Sequence, residues 1–162
     1  MPRFLTRLVA ELPHGPARSL VAANLADEEG DPVAHVELFE GFARAVGAGN
    51  EAASPATGHL LATYDDLLAE GPAAALAGFV AYECQAGEVA QRKAEGLRRW
   101  YGLDDDGVAF WAHHARVDIR HGAWARRALA SVAGDGQRPA VRRAADAWWA
   151  FLDEREVVAT TG

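Results

Sequence analysis

The stretch His114-Ala115-Arg116-Val117-Asp118-Ile119-Arg120-His121 carries three potential metal ligands at positions i, i+4 and i+7. On an α-helix these offsets bring the three side chains to one face. Two imidazoles and a carboxylate on one face match the donors of non-haem iron sites, which keep positions open for dioxygen. A solvated polar face would show the same spacing, so this stretch alone indicates a helix and leaves its function open.

The rest of the chain predicts an all-α fold in a single domain over residues 1–162. The composition is rich in alanine and poor in β-branched runs, which favours helices over strands. Ser54-Pro55, in a loop at 50–58, is a plausible cap and first helical position, and Asp104 to Asp106 are expected in the first turn of a long helix. The predicted helices cover about residues 4–12, 17–29, 36–46, 60–68, 73–101, 104–133, and the segment from the Gly134-Asp135-Gly136 break to 152.

Charge and cysteine content exclude several classes of function. Sixteen basic and 23 acidic residues give a formal charge of -7, which disfavours a nucleic-acid partner because phosphates are bound by clustered Lys and Arg. Cys84 is the only cysteine, so no intrachain disulfide can form and a reducing, cytoplasmic location is expected. No apolar run reaches the roughly 20 residues of a membrane span, and no leader pattern opens the chain. We therefore expect a soluble, unexported protein.

Two further candidate ligands lie on apolar helix faces. Glu83 shares a stripe with Phe79 and Gly87, where a buried carboxylate is costly unless it is paired, protonated or bound to a metal. A salt bridge to a buried arginine is the alternative explanation. His35 repeats this observation on a second helix, the one predicted over 36–46, where Leu38, Phe39 and Phe42 lie on its side. A hydrogen-bonded core histidine is the alternative explanation there.

A last carboxylate precedes His35 by seven residues. Glu28 can reach the same point as His35 if the Gly30-Asp31-Pro32 break is tight, and Glu29 could substitute for it. Three carboxylates in one pocket would repel each other without a cation, whereas a divalent ion keeps them ionised. Metal binding therefore explains the set better than coincidence does. The predicted ligands are Glu28, His35, Glu83, His114, Asp118 and His121.

In these segments the chain resembles the haem-oxygenase-like di-iron oxidases and oxygenases, which share a fold with thiaminase II and the pyrroloquinoline quinone-forming oxidase. The middle match extends through Lys93 and Leu97, and the resemblance covers about residues 3 to 152. The matching motifs, in family order, are Asn24-Leu25-Ala26-Asp27-Glu28-Glu29-Gly30 with His35 and Glu37-Leu38-Phe39, Tyr82-Glu83-Cys84-Gln85, His114-x3-Asp118-x2-His121 and, beyond Lys93 and Leu97, Tyr101-Gly102-Leu103.

The resemblance implies a helical bundle with a central metal site held by the six residues above. It implies two iron ions, with manganese possible at one position, and reaction of dioxygen with a small carboxylate or amine substrate or with the protein's own side chains. Tyr82 and Lys93 match residues that the para-aminobenzoate-forming member uses beside its metals, so both are predicted to be catalytic.

The chain departs from the family pattern at its start, because members usually carry further helices before the segment that begins here at Pro2. An open site closed by a second subunit, a truncated chain, or a protein that binds metal without turnover would each account for this. We expect a homodimer, because a bundle that lacks one wall exposes an apolar groove. The apolar face of the first helix and the Trp148-Trp149-Phe151 cluster are best placed to cover that groove, and packing of these residues within one chain is the alternative. The alternatives to a di-iron enzyme are a non-catalytic partner subunit, a mononuclear centre on His114, Asp118 and His121, and metal-free chemistry.

Overall fold

The computed structural model describes residues 1–30, 33–132, 134 and 136–161, and within them the chain is helical with no strand. The predicted all-α fold is confirmed. The predicted breaks at Asp31-Pro32 and Asp135, and the predicted helix end at Ala133, lie outside the described residues. The helices of the described part are α1 (Pro2–Glu11), α2 (Pro16–Glu28), α3 (His35–Ala45), α4 (Pro55–Glu70), α5 (Pro72–Tyr101), α6 (Ala109–Ala130) and α7 (Gln137–Thr161).

Helix α4 begins five residues earlier than its apolar pattern predicts. Ser54 is the N-cap, and its hydroxyl accepts a hydrogen bond from the Thr57 backbone amide at 3.3 Å. The predicted loop over 50–58 is therefore wrong from Pro55 onward. The first turn of α4 is small and polar and contributes no buried side chain before Leu60, so periodicity could not reveal it, whereas the cap signal at Ser54-Pro55 did.

The sequence predicted that Asp104 to Asp106 form the first turn of α6. That prediction is wrong, because the three aspartates precede the helix. The Asp104 carboxylate accepts a hydrogen bond from the Gly107 amide at 2.9 Å, and Asp105 pairs with Arg98 of α5 at 2.8 Å. These bonds close a turn between the two helices, and α6 starts only at Ala109. Aspartate competes for nearby backbone amides, which favours turns as well as helix starts.

Helix α7 continues past residue 152, where its predicted apolar pattern ends. The Glu154 carboxylate accepts a hydrogen bond from the Ala56 amide at 3.1 Å, and Arg155 donates to the Ser54 hydroxyl at 2.6 Å. These contacts attach the polar end of α7 to the N-terminus of α4. They extend the helix through a tertiary contact that local periodicity does not reveal.

The central helix of the bundle is α5, which contacts α1, α4, α6 and α7. Leu5 and Leu8 of α1, and Leu12 directly after it, are fully or almost fully buried in one core cluster with Leu76 and Phe79 of α5. The apolar face of the first helix thus packs within its own chain. No helix in the described part combines the length and apolarity needed to cross a membrane.

Glycine at position 122 allows α5 and α6 to approach closely. A Cβ atom at Gly122 would lie 2.8 Å from the carbonyl oxygen of Glu83, whereas a Cβ at Gly87 would meet its nearest atom, the Ile119 amide nitrogen, at 3.5 Å. The first distance forces backbone to move and the second is ordinary packing. The two glycines therefore form a matched pair for testing the crossing.

We expect Gly122→Ala to lower the free energy of unfolding by about 1–2 kcal/mol, because overpacking outweighs the gain in helix propensity. Gly87→Ala should be neutral or slightly stabilising. Urea denaturation followed by circular dichroism measures both variants. Equal stability of the two would show that the helices separate at little cost and would contradict a tight crossing.

Helix α3 lies against α6 with little apolar burial. Its only buried residue is His35, its first residue. Two aromatic edge contacts supplement this, Phe39 with Phe110 and Phe42 with Trp111, at ring-centroid distances of 5.1 and 5.5 Å. A polar side chain, rather than a hydrophobic stripe, is therefore the principal anchor of α3.

Candidate metal centre

Helices α2, α3 and α6 bring one group of three buried ligands together. Glu28, His35 and His114 each offer one donor atom, and these atoms all lie within 4.8 Å of one another. The His35 Nδ1 atom is 3.2 Å and the His114 Nε2 atom 3.8 Å from Glu28 Oε1. Glu28 and His35 therefore reach the same point. Glu29, the alternative ligand, lies exposed at the end of α2. We call this group set A.

Helices α5 and α6 supply a second group, which we call set B. Glu83, Asp118 and His121 are buried, and their donor atoms also lie within 4.8 Å of one another. The His121 Nδ1 atom is 3.3 Å from Asp118 Oδ1. Residues on one face of α6 contribute to both sets, with His114 in set A and the other two in set B. The i, i+4, i+7 spacing therefore spans two adjacent sites instead of forming one.

The two sets lie next to each other inside the helical bundle. The imidazole rings of His35 in set A and His121 in set B have centroids 6.5 Å apart. Burial, together with the nearby negative charge of Asp118, raises the pKa of the Glu83 carboxyl to about 8 in the absence of a cation. Burial also opposes ionisation of Glu28, but bonds to His114 and His35 outweigh it and hold the pKa of Glu28 well below its usual range.

Set B contains buried polar atoms that the described protein leaves without a hydrogen bond, namely Glu83 Oε2 and His121 Nδ1. No arginine of the described residues forms an ion pair with Glu83, so the salt-bridge explanation does not hold there. Leaving a buried donor or acceptor unpaired costs about 1–3 kcal/mol. A metal ion coordinated by both atoms would remove that cost, and the carboxylate and imidazole donors suit iron. The residues present therefore fit a metal centre.

A cavity of about 310 Å³ opens onto the ligands. Its lining contains ligands of both sets and an apolar wall. Tyr82 is part of this wall, and its ring stacks on Trp148 with centroids 4.6 Å apart. Burial, followed by the negative charge of Glu83, raises the pKa of the Tyr82 phenol, which keeps the hydroxyl protonated. The lining residues are Met1, Pro2, Glu28, His35, Val36, Phe39, Tyr82, Glu83, Phe110, His114, Asp118 and Trp148.

Lys93, the second predicted catalytic residue, does not line this cavity. Its ammonium nitrogen lies 4.2 Å from the ring centroid of Trp111, in a cation–π contact. Cys84 is exposed, and its sulfur accepts a hydrogen bond from Arg126 at 3.2 Å. The structure thus places Tyr82 and five of the six predicted ligands, all but the fully buried His121, in the cavity lining, and Lys93 and Cys84 outside it.

Comparison with known proteins assigns this architecture to a family. The sequence profile of the iron-containing redox enzymes matches residues 1–154. This chain belongs to that family. The predicted haem-oxygenase-like helical fold is thereby confirmed.

Curated relatives of this family member are 4-aminobenzoate synthases. The protein from Nitrosomonas europaea is 35% identical over 148 residues, which cover 84% of this chain and 60% of the relative. The protein from Chlamydia pneumoniae is 28% identical over 162 residues, which cover 93% of this chain and 72% of the relative. The chain thus spans about 60% of the length of the first of these relatives.

Each candidate ligand imidazole of this family member has a polar partner at its outward nitrogen. His121 Nε2 lies 2.9 Å from Asp27 Oδ2, His35 Nε2 lies 2.9 Å from His113 Nε2, and His114 Nδ1 lies 2.8 Å from the Phe110 carbonyl oxygen. Sequence reasoning missed Asp27 and His113. Both are chain neighbours of a ligand, but adjacent helical residues point about 100° apart, so the ligand-face pattern passes over them.

Proposed function

We propose that this chain is a dioxygen-activating oxidase or oxygenase that holds two iron ions, one in each ligand set. The observation that carries the proposal is the pair of adjacent buried sets, in which Glu83 Oε2 and His121 Nδ1 have no hydrogen-bond partner among the described residues. Membership of an iron-containing redox family supports iron as the metal. When bound, reduced iron supplies the electrons for reaction with dioxygen.

The two sets differ in their donors, which suggests different preferences. Set A offers two imidazoles and one carboxylate, and set B offers two carboxylates and one imidazole. Two imidazoles with one carboxylate and open positions are typical of ferrous oxygenase sites. Set B is richer in oxygen donors, so we assign to it the position at which manganese could replace iron.

The protein's own contribution is to hold the substrate in a largely apolar cavity. Phe110 and Trp148 form part of its apolar wall, and the half-exposed Val36 and Phe39 lie at its rim. No lysine or arginine occurs in the described cavity lining, so an acidic or amine substrate would direct its polar group toward the metal ligands. The Tyr82 hydroxyl, kept protonated by its raised pKa, can donate a hydrogen bond to that substrate.

The curated relatives are named 4-aminobenzoate synthases, so 4-aminobenzoate is the first product to seek. The protein's own side chains are one candidate source, and a small carboxylate or amine is another. Tyr82→Phe and Lys93→Ala test the two predicted catalytic residues. We expect Tyr82→Phe to lower the yield of 4-aminobenzoate more than Lys93→Ala does, because Tyr82 lines the cavity and Lys93 does not.

The proposal predicts oxygen uptake that depends on the ligands. The chain is loaded anaerobically with ferrous iron, mixed with air-saturated buffer in an oxygen electrode, and then examined by mass spectrometry of the intact protein and of small products. Wild-type protein should consume oxygen stoichiometrically with its iron, and Glu83→Ala should fall to the rate of free iron. Two bound irons without oxygen uptake would instead favour a non-catalytic metal-binding subunit.

A homodimer is part of the proposal. Trp148 faces the cavity, but its neighbour Trp149 is 65% exposed and Leu152 is 44% exposed, so α7 offers an apolar patch that a second copy could cover. Sedimentation velocity at micromolar concentration should show a dimer, and Trp149→Lys should shift it to a monomer. A wild-type monomer would exclude the dimer.

A further inference from the structure

We propose that Asp27 and His113 are positioning residues, each fixing which ring nitrogen of one histidine ligand faces the metal: Asp27 acts on His121 in set B and His113 on His35 in set A. The inference rests on the proposed two-ion function. It concerns residues outside both ligand sets, and it assigns one of them to each set.

A neutral imidazole has one N–H donor and one lone pair, and the hydrogen bond at one nitrogen decides which nitrogen is left to bind a metal. The Asp27 carboxylate accepts a hydrogen bond from His121 Nε2–H at 2.9 Å, so in the neutral ring the His121 lone pair is at Nδ1. That Nδ1 atom is the one left unpaired beside Asp118, at 3.3 Å.

His35 in set A also has a polar neighbour at each ring nitrogen. Its Nδ1 atom faces Glu28 Oε1 at 3.2 Å, and its Nε2 atom faces His113 Nε2 at 2.9 Å. A metal at Nδ1 requires His35 Nε2 to carry the proton and donate it in a hydrogen bond to His113 Nε2. His113 must then carry its own proton at Nδ1. Without a metal, the Glu28 carboxylate can only accept, so His35 donates from Nδ1–H to Glu28 and its Nε2 accepts from His113 Nε2–H. Metal binding therefore reverses the bond between the two rings, and His113 supports the ligand form of His35 as the acceptor of that bond.

The two outer partners differ in charge. Asp27 is an anion that also pairs with Arg120, the chain neighbour of His121, and the bonds from His121 and Arg120 outweigh burial and lower the pKa of Asp27. His113 is an imidazole without a comparable ion pair among the described residues. A carboxylate behind a histidine raises the basicity of its ligand nitrogen more than a neutral acceptor does. Loss of Asp27 should therefore weaken its set more than loss of His113 weakens the other.

The test uses zinc, which is redox-silent and needs no turnover, in calorimetric titrations of the metal-free full chain. Asp27→Ala and His113→Phe should each weaken one of the two binding events by about 10–100-fold and leave the other within about threefold. Asp27→Asn and His113→Gln keep an acceptor oxygen and should restore part of the affinity. Glu88→Ala, on the exposed face of α5, is the control that should change neither event.

Variants that lack one ligand histidine distinguish a positioning role from a general loss of structure. In His121→Ala, the further change Asp27→Ala should have no added effect on zinc affinity, and in His35→Ala neither should His113→Phe. In parallel, ¹⁵N NMR of the His113 ring should show its proton moving from Nε2 to Nδ1 when zinc binds. Weakening of both events by one variant, or effects that persist after the ligand is removed, would overturn the positioning roles. A wild-type chain that binds fewer than two ions would overturn the proposed function, and with it the assignment of one positioning residue to each set.

Discussion

Anaerobic reconstitution with ferrous iron is expected to load close to two ions per chain, because the six buried ligands divide into two sets of three. His35→Ala and His121→Ala should each remove about one ion, since each deletes a ligand from a different set. Colorimetric iron analysis after desalting measures the ratio. The effect is large because removing one of three protein ligands leaves a site that cannot compete with buffer for the metal.

The exposed His59 of α4 provides the matched control, and His59→Ala should leave the iron content unchanged. A wild-type ratio near one that is abolished by His121→Ala and untouched by His35→Ala would support the mononuclear interpretation. No binding at all would contradict both interpretations.

The metal-free protein is expected to lose up to about 4 kcal/mol of unfolding free energy as the pH rises from about 5 to 8. Burial and Asp118 raise the pKa of Glu83 from 4.5 to about 8, so the folded chain retains a proton that the unfolded chain has released. The stabilisation is complete below pH 4.5 and is lost as the pH approaches 8. Although burial opposes it, His114 and His121 have pKa values raised above 6.5 by carboxylate partners, and they contribute in the same direction at higher pH.

Chemical denaturation at a series of pH values measures this slope. Glu83→Gln is neutral at every pH, so the slope of its unfolding free energy against pH should be smaller by the equivalent of about one proton. Zinc-loaded wild-type protein should lose the same part of the slope, because the metal keeps Glu83 ionised. The lowered pKa of Glu28 acts oppositely, since its stabilisation is lost as the pH falls below 4.5. A Glu83→Gln protein with an unchanged slope would show that Glu83 is already ionised without metal.

The sequence singled out the six candidate ligands because burial of charge leaves a local signature. Glu83 interrupts an apolar stripe, and the histidines and aspartate of α6 repeat at helical offsets. Helix ends at glycine and proline were likewise readable to within a few residues. These features depend on chain-local geometry, which one sequence contains.

Features that depend on contacts between distant segments were not predictable. The division of α6 between sets A and B requires knowing which carboxylate approaches from α2 and which from α5. The extension of α7 depends on Glu154 meeting the α4 N-terminus, 98 positions away in sequence at Ala56. Asp27 lies within a family motif but has no local signal of its own, because its hydrogen bond to His121 joins residues 94 positions apart.

The sparse anchoring of α3 links entry into the cavity to retention of the metal. The helix that carries the rim residues Val36 and Phe39 buries only His35, which is itself a member of set A. A local opening of α3 would therefore widen the cavity mouth and withdraw a ligand in the same movement. By mass action, a bound ion adds its binding free energy to the closed form. A bound metal would therefore hold α3 in the closed position, and opening the cavity for substrate or product would require the His35–metal bond to break.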